Sequence, residues 1–170
     1  MSDRADTPRR AAERWYHRPD PTGQTSTGEV GLRFECTQCG NCCTGAPGYV
    51  LFTDDEAKAM AEQLGVDRPT FEREYTHRTL RGRSLREVET EHGHDCVLLD
   101  RQTQPGKALC RVYRARPAQC RTWPFWNDNI RSRRSWERAS RTCPGMNTGQ
   151  LHEPRFIELR LAEDVEASRE

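Results

Sequence analysis

Residues 36–43 read CTQCGNCC, four thiols in eight positions with two of them adjacent, and single cysteines follow at 96, 110, 120 and 143. Sulfur at this density can pair into disulfides, hold a metal or act as a nucleophile, and each use places the chain in a different environment. The disulfide reading needs an oxidising compartment. The opening segment MSDRADTPRRAAERWYHRPD has no apolar run that would direct secretion. Eight cysteines in 170 residues also fall below the density of disulfide-stapled domains. No stretch reaches membrane-spanning length. A cytoplasmic location is therefore expected, where clustered thiols bind metal or do redox work.

The spacing favours metal. Cys36, Cys39 and Cys42 form C-x2-C-x2-C, which lets successive thiolates fold around one centre, and Gly40 supplies the backbone freedom for the turn. Adjacent residues outside a helix project apart, so Cys43 is expected to serve a second centre; two four-thiolate sites would use every cysteine. Structural zinc sites commonly bring two separated C-x2-C knuckles, and this chain has one compact run followed by isolated thiols. The triple run is closer to the one that ligates iron–sulfur clusters, and Cys143-Pro144 echoes the Cys-Pro that completes it. Spacing thus leans towards iron–sulfur and leaves zinc open.

A metal would also answer a shortage. Leu, Ile, Val and Phe supply 25 of 170 residues, about 15%, against the roughly 20% that marks an ordinary core. Net charge is only +1, so self-repulsion does not explain the deficit. Cross-linking through sulfur-bound metal would tie segments that hydrophobic burial alone does not. The 27 basic and 26 acidic residues are intermixed, and without a basic face no nucleic-acid partner is expected. One local exception is RSRRSWER, Arg131 to Arg138, read as a solvent-facing helix turn or a small anion patch.

Along the chain, residues 1–29 are polar and read as a flexible arm with a helical turn around Ala11 to Tyr16. Leu32 and Phe34 alternate with charged neighbours in a short strand that ends at Cys36. Thr53 and Glu56 form a capping box for a helix through Leu64 that Gly65 stops, and Asp67 starts a second helix with Val66 and Phe71 as its hydrophobic staple. SLREVET reads as a strand. CVLLD and ALCRVY flank a Pro-Gly turn and read as a β-hairpin carrying Cys96 and Cys110. Pro117 suits the first turn of a short helix holding Cys120, Pro124 sets an extended path at Trp123, and a helix is expected near Arg131 to Arg141. The tail from Pro154 fits helix better than strand. The expected organisation is an arm over 1–29, a cysteine-cluster metal-binding domain over 30–150 and a helical tail over 151–170. Its class is α+β: a small, irregular, cysteine-rich domain with short helices and a β-hairpin.

Taken in order, FECTQCGNCC, DCVLL, CRVY, RPAQCRTWPFW and CPG resemble the YkgJ-type cysteine-cluster family, described as zinc- or iron-chelating domains. The resemblance runs from Phe34 to about Gly145. It implies that Cys36, Cys39, Cys42 and Cys43 cooperate with Cys96, Cys110, Cys120 and Cys143 in binding metal. A related branch resembles flagellin lysine N-methylases, for which an iron–sulfur cluster is implicated; the extra sequence for such a substrate is not recognisable here. His92 and His94 read as polar loop residues, though imidazole can ligate metal. Trp123, Phe125 and Trp126 suit shielding of a cluster or core packing, and Arg116 and Arg121 could donate to sulfur or form surface ion pairs. The expected function is an iron–sulfur protein in a redox or electron-transfer role with a protein or redox partner. The alternative is a zinc-stabilised interaction module. No nucleotide-cradling Gly loop or H-E-x-x-H motif marks an enzyme.

Overall fold

Thr53 turns the chain into the first helix by the reciprocal bonds of a capping box: its hydroxyl accepts Glu56 N–H at 3.2 Å and its own N–H donates to Glu56 Oε2 at 3.0 Å. A computed structural model describes residues 14–19 and 29–167 of the chain. In chain order its elements are β1 (Leu32–Phe34), α1 (Asp54–Leu64), α2 (Arg68–Tyr75), β2 (Thr76–Thr79), β3 (Gly82–Leu85), β4 (Glu87–Thr90) and β5 (Gly93–Cys96). There follow β6 (Leu99–Asp100), β7 (Leu109–Cys110), α3 (Ala118–Arg121), α4 (Asn127–Ile130), α5 (Arg133–Ser140), β8 (Met146–His152) and α6 (Pro154–Ala167). The strands pair only in antiparallel couples, β1 with β8, β2 with β3, β4 with β5 and β6 with β7. Short helices beside separate strand pairs make the class α+β.

Both capped helices follow the sequence. Gly65 ends α1 in the left-handed region at φ 71°, and Asp67 caps α2 by accepting Thr70 N–H at 2.8 Å. Several other expectations need correction. The hairpin across the Pro-Gly turn shrinks to the two-residue ladder of β6 and β7, because Cys96 pairs instead with Glu87, and Val97 N–H donates to Arg86 O at 2.9 Å. SLREVET is two strands in two different sheets, divided at Arg86, whose N–H is held by Tyr75 O. The helix expected near Arg131 to Arg141 is present as α5, which Ser132 caps by accepting Ser135 N–H at 3.1 Å, and a separate short helix, α4, precedes it. Pro117 stands at the N-cap of α3 rather than inside its first turn, and the Trp123–Pro124 peptide is cis.

The turn near the start is a 3-10 turn at Trp15–His17; residues 11–13 of the expected one lie outside the described residues, as does most of the 1–29 arm. The part that is described is docked, not free. Tyr16 is buried and the Trp15 indole donates to Ile130 O at 2.7 Å, since two adjacent aromatic rings gain more from burial than a polar arm loses on ordering.

The scarce apolar residues form two small cores rather than one. The first gathers Tyr16, Leu32, Phe125, Ile130, Trp136, Met146, Ile157 and Leu161, with the Cys143 side chain among them. The second gathers Ala57, Met60, Ala61, Phe71, Leu85, Leu98 and Val112, with Cys96 and Cys110 packed against it. Glu56 ties the second core to the segment that follows: beyond its capping bond, its Oε1 accepts Ala118 N–H at 2.6 Å and Arg121 Nη1 at 3.0 Å.

Candidate metal centre

After β1 the chain cannot continue as strand, because Gln38 and Gly40 both take positive φ, 58° and 77°. The turn closes when Cys43 N–H donates to Gly40 O at 2.8 Å. The loop is then fastened to three other segments. Ala108 N–H donates to Gln38 O at 2.8 Å, Asn41 Nδ2 to Thr142 O at 2.7 Å, and Cys96 N–H to Cys43 O at 2.8 Å. These bonds bring the segments carrying Cys110, Cys143 and Cys96 against the cluster loop. Gly40 has little choice of residue: a Cβ there would stand 2.6 Å from the Ala108 Cβ. Gly40→Ala is therefore expected to destabilise the protein by more than about 1 kcal/mol, through both the positive φ and the clash. Thermal melting alongside metal content checks this, and an unchanged melting point contradicts it.

Six thiols, those of Cys36, Cys42, Cys43, Cys96, Cys110 and Cys120, line one cavity of about 70 Å³. Cys39 and Cys143 do not line it but lie beside it, close enough to act electrostatically on each other. The expectation that Cys43 turns away to a second centre fails, since Cys42 Sγ and Cys43 Sγ are 3.6 Å apart and share the cavity. That spacing is near the edge of a tetrahedron with metal–sulfur bonds of about 2.3 Å, which is about 3.8 Å. Among the described residues, no three Cys, His, Asp or Glu side chains converge on a single ion-sized point. The thiols surround a volume.

Electrostatics point the same way. The hydrogen bond to Cys43, in which the Cys42 thiol donates, and then burial push Cys42 well above its usual range. Burial pushes Cys96 up to about 11 and raises Cys110, Cys120 and Cys143, with neighbouring sulfurs adding to the rise. Without a cation among them these thiols hold their protons, and a bound metal would reverse that by stabilising thiolate. Polar atoms nearby await an acceptor. Trp123 Nε1 and Thr37 Oγ1 are buried without a hydrogen-bond partner, and the indole N–H of Trp123 lies beside the Cys143 sulfur. A donor beside sulfur, as the Trp123 indole is, is what an anionic metal–thiolate group requires, so the residues fit such a group.

Arg116 reaches the cavity wall, with its guanidinium 3.8 Å from the Tyr113 ring centroid and its Nε donating to Tyr113 O at 3.0 Å. Arg121 faces away and is a surface ion-pair residue, bonded to Glu56 and Glu163. Neither His92 nor His94 lines the thiol cavity; His94 borders an adjoining hollow of about 280 Å³. Trp123 and Trp126 wall the cavity, whereas Phe125 is core.

Arg101, which no spacing rule singles out, holds Asp95 through two bonds, Nε to Oδ2 at 2.7 Å and Nη2 to Oδ1 at 3.0 Å, and its charge faces Cys39 and Cys43. The Arg101 guanidinium draws the Asp95 carboxyl down to about 2. A carboxyl depressed on folding contributes stability above its unfolded value of about 3.9 and loses it as pH falls towards 2. Asp95→Asn is expected to cost about 2 kcal/mol at neutral pH and to flatten the acid limb between pH 4 and 2. Urea titrations across that range measure both; an unaltered acid limb contradicts it.

Thiols delivered from the cluster loop and from three further segments onto one cavity, with Cys143 beside it, define a metal-binding cysteine-cluster protein. The chain belongs to the CxxCxxCC family, whose description reads "Putative zinc- or iron-chelating domain"; the match covers residues 35–144. No solved structure matches the chain. Among the described residues, no helix is long and apolar enough to cross a membrane.

Proposed function

We propose that the protein holds an iron–sulfur cluster and uses it to carry electrons in a reducing compartment, with Cys36, Cys39, Cys42, Cys43, Cys96, Cys110, Cys120 and Cys143 as the thiolate set. The observation that carries this reading is the shape of the site: six thiols around one cavity, two more beside it and, among the described residues, no single point on which three converge. A mononuclear zinc ion takes four ligands on one point in a tight tetrahedron, whereas an iron–sulfur cluster is held by thiolates spread around its own volume. When bound, an iron–sulfur cluster supplies a one-electron couple whose potential depends on hydrogen bonds to sulfur and on exclusion of water. The chain's own residues are suited to both tasks. Trp123 and Trp126 exclude water, the Trp123 indole supplies an N–H without another partner, and Arg116 and Arg101 place positive charge beside the sulfurs.

The test is anaerobic purification from iron-supplemented cells. Brown protein with dithionite-bleachable visible absorption, carrying iron and acid-labile sulfide in similar amounts, is the expected result. Colourless protein with stoichiometric zinc and no sulfide overturns it in favour of a zinc-stapled module.

A further inference from the structure

The arginine-rich segment that the thiol site leaves unexplained lies on the far side of one of its walls. Trp123 lines the thiol cavity and also borders a second, shallow depression of about 520 Å³ rimmed by Arg131 and Arg138, with Asn129, Ser135 and Thr142 between them. Several arginines elsewhere on the described surface are matched with carboxylates: Arg68 with Asp54 and Glu72, Arg83 with Glu72, Arg121 and Arg160 with Glu163. The two arginines that rim this depression are not. Arg131 is held in place by Ser135 Oγ at 3.3 Å, a neutral partner. Arg134, Arg138 and Arg141 are exposed and stand at spacings of four and three along α5 and its cap, and the ion pairs among the described residues include none of them. Asp128 is the one carboxylate on the rim.

We propose that this depression docks the acidic surface of a protein partner, placing it against the outer face of Trp123 while the inner face borders the thiols. The partner's role as an electron donor or acceptor rests on the iron–sulfur reading; the docking itself rests on charge complementarity. A shallow, polar, open depression suits a protein surface better than a small molecule, which needs a deeper and more apolar cleft. Two guanidinium groups on one hollow, with Arg134 and Arg141 exposed on the same helix and its cap, on a chain of net charge +1, fall short of the extended basic face that a nucleic-acid backbone requires.

The test uses the full metal-loaded chain and an oxidised, acidic plant-type ferredoxin as the probe, with affinity measured by calorimetry at low and at physiological salt. Wild type is expected to bind the probe, and to bind it more weakly as salt rises. Arg131→Glu/Arg138→Glu is expected to weaken binding about tenfold or more at low salt. The control Lys58→Glu/Arg78→Glu changes net charge equally on exposed residues elsewhere, and should bind as wild type does. Equal binding by both double variants, no salt-sensitive binding by wild type, or tighter binding of a single-stranded oligonucleotide than of ferredoxin at the same salt overturns the proposal. Visible absorption recorded on the protein before ferredoxin is added separates the two readings: a colourless protein sinks the iron–sulfur assignment and leaves the binding result standing.

Discussion

Replacing Cys120 by Ser strips the protein of its metal and lowers its melting temperature in the same step. Cys120 sits on α3 against the cavity, within electrostatic reach of Cys96, Cys110 and Cys42, and the segment it anchors leads directly into the Trp123 wall. A serine hydroxyl nearly matches the thiol in size, so packing changes little; what is lost is a soft anionic ligand that oxygen does not replace. Because metal binding at thiolate sites is coupled to folding, with apparent free energies of about 10–16 kcal/mol for structural zinc peptides, loss of one ligand is expected to cost several kcal/mol of stability. Metal analysis and calorimetric melting on the same preparation measure the two effects together. The comparison that isolates them is with metal-free protein, where Cys120→Ser should shift melting little. A variant that keeps full metal content and wild-type melting contradicts the assignment of this thiol.

Trp136→Ala is expected to cost about 3–5 kcal/mol, the usual range for deleting a buried aromatic side chain. The ring is fully buried, stacked on Phe125 with centroids 6.0 Å apart, and its indole N–H donates to Asn147 Oδ1 at 2.6 Å. Its removal leaves a cavity at the centre of the first core and an unpaired amide oxygen. Because Cys143 belongs to that core, metal retention should fall as well. Urea unfolding with parallel metal analysis measures both. A loss below about 1 kcal/mol would mean that the core collapses around the gap, contrary to expectation.

The parts legible in the sequence were those governed by neighbours along the chain. The capping box at Thr53 and Glu56, the staple of Val66 and Phe71, and the stop at Gly65 depend on residues within a turn or two, and the structure follows them. The strand at Leu32 and Phe34 is present too, but its partner β8, reading MNTGQLH, is too polar and glycine-interrupted to announce itself. The β2–β3 hairpin was missed for the same reason: THRT and GRSL carry almost no apolar alternation, and the pair is held by ladder bonds and the cap of α2 rather than by an oily face. At the site, the cysteines were visible as residue types, whereas the shared cavity of Cys42 and Cys43 depended on the positive φ of Gln38 and Gly40. Arg101 was invisible because its role comes from Asp95, which pairing with β4 turns towards it. Trp15 and Tyr16, two adjacent aromatics in an otherwise polar stretch, were a signal that could have been read as an anchor.

The two cores differ in how the chain reaches them. One is drawn from residues 57–112, a continuous stretch, while the other joins Tyr16 and Leu32 to residues 125–161. During synthesis the core of residues 57–112 can condense as soon as its segment leaves the ribosome, but the core that includes Tyr16 and Leu32 must wait until nearly the whole polypeptide has emerged. Cys143 takes its place only with that late closure, so on the proposed ligand set the metal site is completed at the end of biogenesis, in a nascent protein already half built.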